Sequence, residues 1–143
     1  MMQLRDSAIL NISLRGLFPL VVLFSFQLFS YGASFPGGGF QAGVAFGTIV
    51  VVLEVVRGAR IYDNDVYTGM ELAGVLLLLV FLFAGLLISG SPFGGFYALT
   101  SDGMLFASVY IWMLNLAIYL EVAGSIVLIF RYFIEWDHET VTT

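Results

Sequence analysis

The chain has 143 residues, of which 60% are apolar and only 10% charged, against roughly 45–50% and 25% in a soluble domain. Mean hydropathy is +1.01; ten acids and five arginines, with no lysine, leave a net charge of −5. A water-soluble core cannot absorb that much apolar surface, which excludes a soluble enzyme and a nucleic-acid binder. The solvent is a lipid bilayer. At roughly 20 residues per spanning helix, the length allows four crossings or five and leaves no room for an extramembrane domain. The expectation is all-α: one membrane domain over residues 1–143, a bundle of four transmembrane helices.

Cysteine is absent, so disulfides, iron–sulfur ligation and thiolate metal sites are excluded. The one histidine, His138, lies in an acidic tail and reads as solvated, because metal sites need several such residues converging. No metal and no cofactor are expected.

The first apolar stretch covers about residues 16–33, with Pro19 in its first turn, where a missing N–H costs little. It is longer than a signal-peptide core and no clear A-x-A site follows, so it reads as a retained helix.

The second stretch covers about residues 39–56. Gly39, Gly43 and Gly47 recur every four residues, forming one smooth ridge that another helix can approach closely. Glu54 lies eleven residues after Gly43, three turns plus about 20°, and so extends the same face. Gln41 and Thr48 share a different face, where interhelical hydrogen bonding and capping are the plain reading. Arg57 is one turn from Glu54, and an ordinary surface pair and a functional role both remain open for that carboxylate.

The third stretch covers about residues 68–89. Thr68-Gly69-Met70-Glu71 reads as a capping box, with Thr68 as N-cap and Glu71 reaching back. The connection at residues 90–103 is glycine-rich and aromatic, with Ser101 and Asp102 as plausible N-caps for the last helix.

The fourth stretch covers about residues 104–134. Glu121 lies ten residues before Arg131, roughly 15 Å inside the nearer membrane boundary. No basic residue stands within one turn of it. Its partner must be another helix, another subunit, water or a proton, and a proton-relay or ion-path role is the default for such a residue. A neutral, hydrogen-bonded Glu121 is the structural alternative. Ser108, Trp112, Asn115 and Tyr119 form one polar and aromatic stripe on this helix. Asn115 projects roughly 120° away from Glu121, so the two need not share a pathway.

All five arginines then decide orientation. Arg5 and Arg15 precede span one, Arg57 and Arg60 separate spans two and three, and Arg131 ends span four. Four helices with both termini cytoplasmic put every arginine inside, with Tyr132 and Trp136 as interfacial anchors. The expected location is the plasma membrane, as a multi-pass protein.

The segment Pro36, Gly37, Gly38, Gly39, Phe40, Gln41, Ala42, Gly43, set between two hydrophobic spans, carries a resemblance. With the LFSYGASF run before it and the Asn115–Gly124 segment of the last helix, it resembles the small B subunit of the multisubunit Na⁺/H⁺ antiporters, the Mrp or Mnh family. The likeness covers most of residues 7–135. It implies a non-catalytic subunit in a large membrane complex that moves Na⁺ and H⁺, with antiporter-like and other small helical subunits as partners. Similar modules occur in archaeal respiratory complexes with a hydrogenase-type redox arm, which is the alternative setting. The candidate ion path is Glu121, Asn115, Glu54 and Glu71. Physically, Pro36 stops helix one and the glycines permit a sharp reversal and close packing.

A purely structural subunit is the first rival; polar residues that are dry and fully paired would favour it. A self-sufficient four-helix multidrug exchanger would carry its key glutamate in the first helix, where this chain has only Gln27 and no acid. A membrane enzyme finds no nucleophile–base pair.

Overall fold

The computed structural model describes residues 8–32, 38–90, 92 and 104–141. Four helices occupy them: α1 Ala8–Tyr31, α2 Gly39–Arg57, α3 Asn64–Ser89 and α4 Met104–Val141. Each carries a window long and apolar enough to cross a membrane. Pro36, Gly37, Ser101, Asp102 and the side chains of Ser108, Trp136 and His138 lie outside the described residues.

Two helices, α1 and α3, begin earlier than apolarity suggests, while α2 and α4 begin at the expected residues 39 and 104. α1 starts at Ala8 rather than near Gly16, because apolarity marks where lipid begins while backbone hydrogen bonding runs on. Pro19 is therefore inside the helix and not in its first turn, a correction to the sequence reading. It leaves one carbonyl of the preceding turn without its helical donor, a defect that membrane helices accommodate more readily than soluble ones. α3 starts at Asn64, with Asp63 as N-cap in an extended conformation and Asp65 in the first turn, where a negative charge favours the positive end of the helix. Both α2 and α3 stop on a left-handed glycine. Gly58 (φ 58°) donates its N–H to the Glu54 carbonyl at 2.7 Å, and Gly90 (φ 71°) to that of Leu86 at 3.0 Å. A side chain at either position would be strained.

The helices form a row, in the order α1, α2, α4, α3. α4 packs along α2 on one side and α3 on the other, while α1 packs on α2 and only grazes α4. Neither α1 nor α2 brings its backbone close to α3 among the described residues. Half of the apolar window of α2 is buried, against 11% for α1 and for α3. The outer helices thus leave most of their apolar surface for lipid or neighbouring subunits.

Three devices hold the row. The fully buried Ser25 hydroxyl donates to the Ala42 carbonyl at 2.9 Å, pinning α1 to α2. Phe29 stacks at a tilt on Trp112 and Tyr119 with centroids 4.8 and 5.6 Å apart, a spacing at which aromatic pairs attract. Across the other seam, Phe81 meets Tyr110 edge-on at 5.4 Å. The apolar core sits toward the end carrying the α2–α3 connection, where Val50, Val51, Tyr67, Val127 and Leu128 cluster.

Candidate functional site

Polar side chains occupy both seams of α4. At the end of the row that carries the α2–α3 connection, Arg131 is buried against Glu54. Its Nε donates to Glu54 Oε2 at 3.0 Å and its Nη2 to Oε1 at 2.5 Å, a bidentate ion pair. Nη1 donates to Asn64 Oδ1 at 2.6 Å and Nη2 also to the Tyr62 carbonyl at 2.8 Å. The guanidinium lies over the Tyr67 ring, 4.7 Å from its centroid. Glu54 Oε1 further accepts the Ile61 N–H at 3.1 Å. One arginine of α4 thereby joins the end of α2, the start of α3 and the link between them. The planar fork of five donors suits this task, where a lysine would act only as a point charge.

This corrects the local reading of Glu54. Its partner is Arg131 of α4, and Arg57 one turn away is exposed. Glu54 continues the glycine face toward α4, whereas Arg57 turns out of the row.

The glycine ridge itself is filled from within the chain. A Cβ on Gly43 would stand 2.9 Å from Val122 Cβ and 3.0 Å from the Tyr119 carbonyl. One on Gly47 would stand 2.9 Å from Ile126 Cβ, and one on Gly39 would overlap the Asn115 carbonyl. The ridge is the bed of α4, so it is not left bare for a partner. Gln41, Phe40 and Thr48 point outward and are exposed.

Asn115 serves the start of α2. Gly38 has no side chain to cap the helix, and Asn115 Oδ1 instead accepts the Gly39 N–H at 3.2 Å. A side chain from α4 thus does what an N-cap residue normally does within its own helix.

The α3–α4 seam holds the other two carboxylates. A Cβ on Gly74 of α3 would meet Glu121 Cβ at 2.7 Å and the Ala117 carbonyl at 2.6 Å; one on Gly124 of α4 would meet the Tyr67 carbonyl at 2.6 Å and Glu71 N at 3.0 Å. Two single glycines, one per helix, let the backbones touch. The helices run antiparallel, so Glu121 lies level with Gly74 and Glu71 level with Gly124. The two carboxylates therefore share one seam, roughly 4.5 Å apart along the axis. Glu71 does not close a capping box: α3 begins four residues before Thr68, and Glu71 Oε1 accepts the Ser125 hydroxyl at 2.8 Å. Glu121 is half-buried and has no hydrogen bond or ion pair among the described residues.

Asn115 faces α2 and Glu121 faces α3, so α4 separates them. Sequence reasoning missed Arg131 as a buried ion-pair partner and missed Gly74 and Gly124 as contact points. A buried arginine 77 positions from its acid leaves no local spacing to read; lone glycines in an apolar run leave only their type. Among the described residues no three histidine, aspartate or glutamate side chains converge as a metal site.

No curated protein matches the chain. A family model does: the domain related to the MnhB subunit of Na⁺/H⁺ antiporters, over residues 9–128. That interval takes in α1, α2, α3 and α4 as far as Leu128, with Glu54, Glu71, Asn115 and Glu121 inside it. Together with four helices able to span a bilayer, it makes the protein a multi-pass membrane protein tied to ion transport and to other antiporter subunits. The chain belongs to the family of proteins related to the MnhB subunit of the Na⁺/H⁺ antiporter.

Proposed function

We propose that the chain is a non-catalytic subunit of a multisubunit Na⁺/H⁺ antiporter module, supplying helix packing and part of a polar ion path. The family match supports the module. The observation that carries the path is Glu121: a half-buried carboxylate deep in a spanning helix, on one seam with Glu71, with no polar partner of its own among the described residues. A charge at such depth is expensive, and residues of this kind serve proton relays and ion routes. Protons need only titratable groups and water. Sodium needs a fuller oxygen shell, to which Glu121, Glu71 and Ser125 bring part and a neighbouring subunit the rest.

Glu54 and Asn115 take a supporting place in this reading, since their polar atoms are already engaged within the chain. That engagement also favours the second reading, a subunit that only holds neighbours in place. With the arginine-bearing end cytoplasmic, as the positive-inside rule favours, Glu121 lies near the membrane midplane. The test is to purify the native complex, identify its subunits, and measure cation-dependent proton transport after reconstitution. Antiporter-like partners and transport that depends on Glu121 support the path. Partners with a redox arm place the same module in a hydrogenase-type respiratory complex, and transport indifferent to Glu121 leaves the structural reading.

A further inference from the structure

We propose that the groove between α1 and α3, floored by α2, binds one acyl chain of an anionic membrane phospholipid, with the phosphate held by Arg15 and Arg57. The backbones of α1 and α3 stay apart, and over Phe46, Val50 and Leu53 of α2 the space between them is a cavity of about 430 Å³. That size falls in the roughly 300–1,000 Å³ range of ligand pockets. Phe18 of α1, Phe46 of α2 and Met70 of α3 make its walls apolar, while Arg15, Arg57 and Tyr62 line it at the end of the α2–α3 connection.

The two arginines differ from Arg131. Both are exposed, and neither has an ion pair or hydrogen bond among the described residues. Among the described residues the acids of this end do not compete for them: Glu54 is held by Arg131, and Asp63 and Asp65 are exposed and line no part of the groove. From Arg57 to Phe46 is eleven residues of helix, roughly 16 Å, which matches half of a hydrocarbon core of about 30 Å. A chain that starts at the guanidiniums therefore ends near the midplane, as an acyl chain of one leaflet does. Guanidinium forks suit phosphate oxygens. Free phosphate would satisfy the arginines and leave the apolar length empty. A partner's apolar helix would fill the length and leave two cations unanswered. An anionic lipid answers both.

The test uses the full-length chain, purified with its co-assembling subunits and reconstituted in phosphatidylcholine vesicles. The vesicles carry a trace of acyl-photoactivatable phosphatidylglycerol or, in parallel, acyl-photoactivatable phosphatidylcholine. Crosslinks are expected on the peptides holding Phe46 and Met70, with phosphatidylglycerol favoured about fivefold for each arginine engaged. Arg15→Gln with Arg57→Gln should abolish the preference. Arg60→Gln, which removes one positive charge from the same end but outside the groove, should keep it, whereas Arg15→Gln or Arg57→Gln alone should weaken it. Equal crosslinking of the two lipids overturns the proposal, as does a preference lost equally in Arg60→Gln. No crosslink from either lipid also overturns it, because another subunit then fills the groove.

Discussion

Arg131 closes on Glu54 across 77 positions of sequence, and this one bidentate contact ties α4 to the end of α2. The pair is nearly dry, with side-chain exposures of 6% and 11%. Removing one member leaves the other as an uncompensated buried charge, at a cost of about 3–5 kcal/mol. Replacing both with apolar groups of similar volume costs much less, since neither charge is then stranded. Equilibrium unfolding of the full chain in micelles should rank Arg131→Gln and Glu54→Gln well below the double variant Glu54→Leu/Arg131→Met. Single variants as stable as the wild type would show that the pair does not hold the helices.

The glycine ridge makes a second, independent prediction about the same seam. Gly43→Leu drives a bulky side chain into Val122 and the Tyr119 carbonyl, and overpacking of that kind costs about 1–3 kcal/mol or more. Since α4 itself occupies the ridge, the isolated chain should already be destabilised, before any partner is present. Gly69 is the control. A Cβ there meets nothing within 4 Å, so Gly69→Ala should be neutral or stabilising by up to about 1 kcal/mol. Thermal unfolding of the two variants side by side decides the point; a Gly43→Leu chain that is stable alone but fails to assemble would move the ridge to a subunit interface.

Orientation is testable without any functional assay. Arg15, Arg57, Arg60 and Arg131 gather at one end of the row, and cationic residues concentrate on the cytoplasmic side. Cysteines placed at Ser34 and Ser91 should react with a membrane-impermeant label applied outside intact cells. A cysteine at Thr142 should stay unlabelled until the membrane is opened. Labelling of Thr142 in sealed cells would invert the arrangement.

The four spans were legible because a bilayer demands long apolar runs, and the ridge of α2 because its glycines repeat at the helical spacing. The α3–α4 seam was not, since Gly74 and Gly124 stand alone and carry no period. Glu71 misled for a local reason. Thr68 sits three residues before it, which fits a capping box, yet the polar run Asp63-Asn64-Asp65 starts the helix a turn earlier. Once Thr68 is inside the helix, the Glu71 side chain is free to reach Ser125 instead. Asn115 was visible as a polar residue in a spanning helix, but its use as the cap of a distant helix depends on Gly38 having no side chain to offer.

Glu121 is where the path and packing readings part. Glu121→Gln keeps the shape of the side chain and removes its titration. If the carboxyl only packs against Gly74 and the α3 backbone, an amide of the same shape replaces it with little loss, and Glu121→Ala is the worse variant through its lost volume. If protons or cations pass through it, the order reverses in the transport assay: Gln should abolish cation-dependent proton movement while the complex assembles at wild-type levels. The measurement is transport by reconstituted complexes at matched assembly, with Glu71→Gln alongside as the neighbour on the same seam. Loss in Glu121→Gln together with a weaker defect in Glu71→Gln fits a relay entering at Glu121, because Glu71 already shares its proton-accepting oxygen with Ser125. Wild-type transport in both Gln variants, with assembly impaired only in Glu121→Ala, rejects the relay.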